Sequence, residues 1–343
     1  MSTAANGILL VDKAEGWTSH DVVAKARRAL GTRKVGHAGT LDPMATGLLL
    51  LGSGPATRLL THLVGLDKTY TATIRLGAST VTDDREGAVL DIADVARIRE
   101  LEGNTAAIRD AVAGLTGPIE QAPSAVSAIK VDGKRAYDRV RAGEQVELKK
   151  RPVTIHSFEI EDPRLVRAHG LDGGDLPIEV IDLDVTVSCS SGTYVRALAR
   201  DLGEALGVGG HLTALRRTDV GPFSVADAVS NEQLAQGTFE AGKLLDPAEV
   251  AARLFPVLPL SEQQEIDLGH GKRLEVGEDR KLSDGTDRAK LAAAIAPSGR
   301  LVGLVEVKNG RTRVVTNFPT AEAGSGAPAV PSANAGAGSE PTA

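Results

Sequence analysis

The run Glu179-Val180-Ile181-Asp182-Leu183-Asp184-Val185-Thr186-Val187-Ser188-Cys189, continued by Ser190-Ser191-Gly192-Thr193-Tyr194-Val195-Arg196, decides how the chain is read. Its β-branched and apolar residues predict a long strand, and the Ser-Ser-Gly turn predicts that this strand feeds a helix over residues 193–206. Working outward, residues 69–76 alternate as a half-buried strand does, and 7–12 and 47–51 read as short buried strands. Thr18-Ser19 offer caps for a helix that stops at Gly31. Further helices are expected over 55–64, with proline in the first turn, and over 106–115. A strand over 127–131, a tight turn at Asp132-Gly133 and a short basic helix over 135–141 follow, while Asp83-Asp84-Arg85-Glu86-Gly87 reads as an exposed turn. Strands and helices mix without a regular βαβ rhythm. The expected fold is therefore α+β, a mixed, largely antiparallel central sheet flanked by helices, and not a doubly wound sheet.

A length of 343 residues predicts about two domains, and 42% hydrophobic with 24% charged residues is ordinary globular composition. Around Phe255-Pro256 the texture changes to short β-like stretches, so residues 1–255 form one expected domain and 256–319 a small β-rich one. Residues 320–343 are Ala, Gly, Ser and Pro with two glutamates and no cation, the composition of a disordered tail. A single cysteine, Cys189, excludes an internal disulfide and cysteine-based zinc or iron–sulfur sites. The opening residues have no basic n-region and no apolar run is long enough to cross a bilayer, so a cytoplasmic protein with no membrane contact is expected.

The net charge of −6 taken alone argues against a nucleic-acid partner, but the distribution points the other way. Residues 25–40 hold five cations (Lys25, Arg27, Arg28, Arg33, Lys34) and no acid, and 130–151 hold eight cations against four acids. Such segregation permits a basic face on an acidic protein.

No phosphate-binding Gly-x-x-x-x-Gly-Lys loop, dinucleotide fingerprint, His-Glu-x-x-His helix or Gly-x-Ser-x-Gly elbow occurs, so no metal and no nucleotide cofactor is expected. What remains is Gly36-His37-Ala38-Gly39-Thr40-Leu41-Asp42-Pro43-Met44-Ala45-Thr46-Gly47. Its glycines allow close backbone approach, and Pro43 forces Asp42 out of the helical region, which holds a carboxylate on a fixed loop. An Asp-Pro turn with a local Thr40 hydrogen bond is the plainer reading of the same residues. Arg196 falls in the first turn of its helix, where the dipole disfavours a cation, so it calls for an anionic partner; Asp201 or Glu204 at the surface are the simple choices. Lys68-Thr69-Tyr70 places one of only three tyrosines in a strand.

These runs, with Gly16-Trp17-Thr18-Ser19, Gln121-Ala122-Pro123-Ser124, Ser127-Ala128-Ile129-Lys130, Gly133-Lys134-Arg135-Ala136-Tyr137 and Leu215-Arg216-Arg217, resemble the TruB-type bacterial tRNA pseudouridine synthases over residues 7 to about 225. The resemblance implies a pseudouridine synthase fold with a thumb-like basic insertion at about 121–151, and a PUA-like RNA-binding domain over 256–319. It implies an isomerase that flips the T-loop uridine at tRNA position 55 out of its stack and exchanges an N1–C1′ for a C5–C1′ bond, using no cofactor. Asp42 is then the catalytic carboxylate, Arg196 its partner, and Tyr70 the ring that stacks on uracil and serves the proton transfer at C5. Leu215 and Tyr194 line the pocket, and His37 fills the space left by the flipped base. Lys130, Lys134, Arg135, Arg139 and Arg141 grip the backbone of the tRNA T-arm, and the enzyme is expected to act as a monomer. Two other readings use the same residues: a non-catalytic RNA-binding or RNA-folding protein, and a hydrolase with Asp42 as nucleophile.

Overall fold

A computed structural model describes residues 5–123, 130–131, 134–135, 149–171, 176–276 and 291–319. The first half runs β1 (Gly7–Lys13), α1 (Ser19–Ala29), β2 (Val35–Ala38), β3 (Thr46–Ser53), a 3₁₀ turn (Gly54–Leu59) leading into α2 (Leu60–Val64), and β4 (Lys68–Leu76). Next come β5 (Ala78–Thr80), β6 (Val89–Ile92), α3 (Val95–Glu102), α4 (Thr105–Gly114), β7 (Gly117–Gln121), β8 (Lys130–Val131) and β9 (Lys134–Arg135). β10 (Arg151–Ile160), β11 (Arg164–Ala168), β12 (Ile178–Cys189), α5 (Val195–Leu206) and β13 (Gly210–Val220) complete the centre. β14 (Phe223–Ser224), β15 (Val229–Ser230), α6 (Asn231–Gln236), β16 (Leu244–Leu245) and α7 (Pro247–Leu254) close it. Beyond them lie β17 (Val257–Pro259), α8 (Glu262–Gly269), β18 (Leu291–Ile295), β19 (Leu301–Lys308) and β20 (Arg311–Asn317).

The central sheet has the strand order β15-β1-β3-β13-β4-β12-β10-β7, with β2, β11, β14 and β16 attached at its flanks. Only β1–β15 and β3–β13 pair in parallel, so the sheet is mixed and mostly antiparallel, as the sequence predicts. Its middle strands alternate: Tyr70, Ala72, Ile74 and Leu76 of β4 join Leu183, Val185 and Val187 of β12 in one apolar cluster, which α5 covers with Val195, Leu198 and Leu202. Thr71, Thr73 and Arg75 face the other way, the polar side that an antiparallel sheet can show to water.

β3 is buried on both faces. Leu49 and Leu51 enter the cluster under α5, whereas Leu48 and Leu50 enter a second one together with Phe255, Ala293, Leu301, Leu304 and Phe318. The four-stranded sheet β17-β18-β19-β20 is thus packed onto the central sheet through shared apolar side chains.

Three local expectations need correction. The segment after Pro55 starts as a 3₁₀ turn, with Thr57 Oγ1 bonded back to the Gly54 carbonyl, and becomes α-helical only at Leu60. Arg135 lies in β9, paired with Lys130, and does not open a helix; the other residues of that expected helix lie outside the described residues, as does the tail over 320–343. Finally, the Asp-Asp-Arg-Glu-Gly turn is exposed only in part: Arg85 and Glu86 reach solvent, whereas Asp83 and Asp84 are buried. The helix α3, capped by Asp94, has no counterpart in the sequence reading. Among the described residues no helix is long and apolar enough to cross a membrane.

Candidate active site

Asp42 sits in the loop joining β2 to β3, and that loop is fastened carbonyl by carbonyl. The Thr18–Asp21 capping box sets the start of α1, which points the buried Ser19 hydroxyl at Leu41. Ser19 Oγ accepts from the Leu41 amide at 2.9 Å and donates to the Leu41 carbonyl at 3.1 Å. The Ala45 amide donates to the Asp42 carbonyl at 3.1 Å, so the Asp-Pro turn anticipated from sequence does form. The Pro43 carbonyl accepts from the Gly16 amide at 2.9 Å and from Lys13 Nζ at 3.2 Å. The loop ends at Gly47, whose φ of +98° and a would-be Cβ only 2.2 Å from the Arg217 carbonyl both require glycine where β3 meets β13.

Two enclosed cations hold this loop through its carbonyls, and among the described residues neither is within ion-pair distance of a carboxylate. Lys13, the last residue of β1, donates to the carbonyls of Ala14, Trp17 and Pro43. Burial lowers its pKa to about 8, against the opposing pull of Asp42 and Glu15. Arg217, 1% exposed, donates Nε to the Leu48 carbonyl at 2.7 Å and Nη2 to the Gly39 carbonyl at 3.1 Å. Across the β4–β13 ladder it stands directly opposite Tyr70.

Arg196 enters from the first turn of α5, held at the N-cap residue Tyr194. Its Nη2 lies 3.1 Å from Asp42 Oδ2, and its Nη1 lies 3.3 Å from Asp84 Oδ2 and donates to the Thr82 carbonyl at 2.9 Å. Two carboxylates therefore offset the unfavourable helix-start position. The surface pairing with Asp201 or Glu204 is not made by Arg196; Arg200, one turn on, takes Asp201 and also reaches Asp83. Asp84 is the residue that sequence reasoning missed. Its Oδ1 accepts from the Thr82 hydroxyl and the Glu86 amide, so both oxygens are committed.

Tyr70 is buried in the β4 row, and Leu215 of β13 follows one step along the same face, opposite Ala72. Burial raises the Tyr70 pKa, with Arg217 working in the other direction, so the phenol is protonated at neutral pH. His37 is half-buried on β2, edge-on to His20 at 5.8 Å between ring centroids. Burial, and then His20, lower its pKa, leaving the ring neutral at pH 7. Tyr194 is gripped through its backbone: Gln121 Oε1 accepts from its amide at 3.0 Å and Gln121 Nε2 donates to its carbonyl at 3.3 Å. Gln121 also pairs with Arg151 across β7–β10, so the root of the basic insertion is tied to the start of α5. Lys130 lies in β8 and Lys134 and Arg135 in β9, while Arg139 and Arg141 lie outside the described residues.

A cleft of about 410 Å³ lined by Met44, Thr46, Arg85, Leu215 and Arg216 flanks the Asp42 loop. The larger groove of about 980 Å³, lined by Arg75, His169 and His211, contains none of the expected catalytic or base-binding residues. No group of three metal-ligating side chains occurs among the described residues.

The Asp42 carboxylate thus stands on a braced loop of a mixed, mostly antiparallel sheet, paired with buried Arg196 and within electrostatic reach of buried Tyr70. The model of the TruB family pseudouridylate synthase N-terminal domain matches residues 27–195, that of the tRNA pseudouridylate synthase B C-terminal domain 196–257, and that of the tRNA pseudouridine synthase II C-terminal domain 255–319. The chain belongs to the TruB family. A protein from Arthrobacter sp. (strain FB24) named tRNA pseudouridine synthase B is 54% identical over 91% of this chain and 96% of its own length. One of the same name from Thermobifida fusca is 48% identical, over 92% and 99%. Among solved structures, an H/ACA RNP bound to a substrate RNA containing 2′-deoxyuridine aligns with a TM-score of 0.62 at 22% identity, over 93% of this chain and 87% of that one, which is a likeness of fold.

Proposed function

We propose that this enzyme isomerises the T-loop uridine at position 55 of tRNA, acting as a cytoplasmic monomer, with Asp42, Arg196 and Tyr70 as its catalytic residues. The wider activity is that of the family: the chain is a tRNA pseudouridine synthase, an isomerase. The observation that carries the site assignment is the Asp42–Arg196 pair at 3.1 Å, in which one carboxylate oxygen faces a buried guanidinium and the side chain stays 40% exposed for a substrate. A protein that only bound RNA has no use for an arginine buried to aim a carboxylate, which disfavours the RNA-folding reading.

In the reaction N1–C1′ breaks, the uracil turns, and C5 bonds to C1′; C5 then loses its proton and N1 gains one, so atoms balance without redox change. Asp42 serves the sugar-derived centre as nucleophile or counter-ion. Tyr70 provides the stacking wall and a phenol that relays the proton, giving up its own toward N1 as it takes the one that leaves C5, and Leu215 packs beside it. Flipping the uridine costs a few kcal/mol of stacking, which His37 offsets by occupying the vacancy. Tyr194 lines the pocket, and Lys130, Lys134, Arg135 and Arg139 hold T-arm phosphates. Residues 256–319 act as an accessory RNA-binding module.

The test is thin-layer or liquid chromatography, coupled to mass spectrometry, of the nuclease digest of a T-arm transcript incubated with the purified chain, because pseudouridine has uridine's mass and differs in mobility. Isomerised uridine at position 55 supports the reading; unchanged RNA supports the binding protein, and cleaved product the hydrolase.

A further inference from the structure

The five cations between Lys25 and Lys34 differ from most of the arginines among the described residues. Elsewhere arginine meets a carboxylate again and again: Arg75 with Asp182, Arg99 with Glu179, Arg164 with Asp184, Arg216 with Asp12, Arg300 with Glu265. Of Lys25, Arg27, Arg28, Arg33 and Lys34, none has an acidic partner among the described residues, and all but Lys25 are exposed. Nor does the chain place an acid anywhere between Asp21 and Asp42, although it holds 45 acids in 343 residues.

The fold gathers these charges at one edge. Arg27 Nη2 donates to the Val35 carbonyl at 3.3 Å, which ties the last turn of α1 to the start of β2, next to Arg33 and Lys34. Four residues beyond Arg33, about 13 Å along an extended chain, is His37, facing His20 of α1. On the other side Lys25 lies over the Trp17 ring, 5.7 Å from its centroid, and the Trp17 carbonyl receives Lys13 beneath the Asp42 loop. The edge thus borders the catalytic loop. Complementing the α1 dipole accounts for Arg27 and Arg28 alone; it leaves Lys25, Arg33 and Lys34 unexplained.

We infer that the α1–β2 edge is a phosphate-binding surface for the backbone of the substrate RNA, separate from the 121–151 insertion and adjoining the point where the uridine enters. The inference rests on the tRNA reading above. An enzyme of net charge −6 repels a polyanion at long range and needs a local cluster of uncompensated cations, and cations already paired to carboxylates release no counterions from RNA.

The experiment uses the full chain carrying Arg27→Gln, Arg28→Gln and Arg33→Gln, with tRNA transcript and an isolated T-arm hairpin as probes between 50 and 200 mM salt. A control carries Arg97→Gln, Arg99→Gln and Arg109→Gln, which removes the same charge from arginines already paired with Glu100, Glu179 and Asp162. The first variant is expected to bind tRNA at least about tenfold more weakly at 100 mM salt, with log affinity less steep in log salt by about 2, while kcat on saturated enzyme is unchanged. The same loss with the hairpin places the contact on the T-arm; loss with tRNA alone places it on the rest of the molecule; both support the surface. An unchanged slope with tRNA, or an equal change in the control, overturns it. If the slope falls but wild type makes no pseudouridine, the functional reading fails and the surface stands.

Discussion

Asp42 and Asp84 grip the same guanidinium from two loops, and the difference between those loops leaves one carboxylate open and the other fully engaged. Asp84, in the turn between β5 and β6, is 4% exposed, and its oxygens are taken up by Arg196, the Thr82 hydroxyl and the Glu86 amide. The Asp42 side chain is 40% exposed, and its one ion pair occupies a single oxygen. The backbone around Asp42 is as tightly bonded as the side chain of Asp84. Rigidity is thus supplied to both, but through the main chain in one loop and through the carboxylate in the other, and only the first arrangement leaves a carboxylate oxygen open.

The sharpest way to break this comparison is Asp42→Asn. The amide keeps the shape and loses the charge, so turnover falls by more than about a thousandfold while tRNA affinity stays within about tenfold; product assays and filter binding on one preparation check both. Arg196→Lys comes next. An ammonium cannot span Asp42, Asp84 and the Thr82 carbonyl as a fork does, and kcat is expected to drop about a hundredfold. Asp84→Asn preserves a hydrogen-bonding oxygen yet leaves buried Arg196 with one charge partner. Single-turnover rates should fall about tenfold, and denaturant melts should show a loss of about 2 kcal/mol.

The smallest effect belongs to Lys13. Its folded pKa of about 8 lies below the 10.5 of a free lysine, so folding disfavours its charged form. Between those two pH values the unfolded chain holds the proton that the folded chain has lost, so this group's contribution makes stability rise with pH in that window. The charge-assisted bond to the Pro43 carbonyl weakens over the same titration. Turnover should therefore decline a few-fold on crossing pH 8 while the lysine's share of stability improves; parallel pH series of kcat and of urea midpoints in wild type and Lys13→Gln read the two apart.

Much of this site was legible in the chain because its elements are locally encoded. The alternation over 69–76 and 179–189 placed Tyr70 in a strand, the Ser-Ser-Gly turn placed Arg196 at a helix start, and the dipole argument demanded an anion there. The dipole argument alone named no anion and the family resemblance supplied Asp42; the second anion, Asp84, could not be read, because Asp201 and Glu204 are near in sequence whereas Asp84 arrives from 112 residues away. The Asp83–Gly87 cluster has the composition of a solvated turn, and its two aspartates are buried where Arg196 and Arg200 of α5 pair with them. Lys13 and Arg217 were hidden for a related reason, since a cation that bonds only to carbonyls leaves no trace in charge patterning. The bare stretch from Lys25 to Thr40 was visible at once, and the fold adds that its charges meet at one edge.

The two-sided burial of β3 has a thermodynamic consequence. Leu48 and Leu50 share an apolar cluster with Phe318 and the residues of β18 and β19, Arg58 donates to the Asn317 carbonyl, and Leu49 and Leu51 belong to the other cluster. Melting either sheet strips one face of the strand that starts where the Asp42 loop ends. The two halves should therefore lose order in a single calorimetric transition with no populated half-folded species, and a chain cut at residue 256, left with Phe255, Leu48 and Leu50 uncovered, should aggregate instead of surviving as a free-standing catalyst.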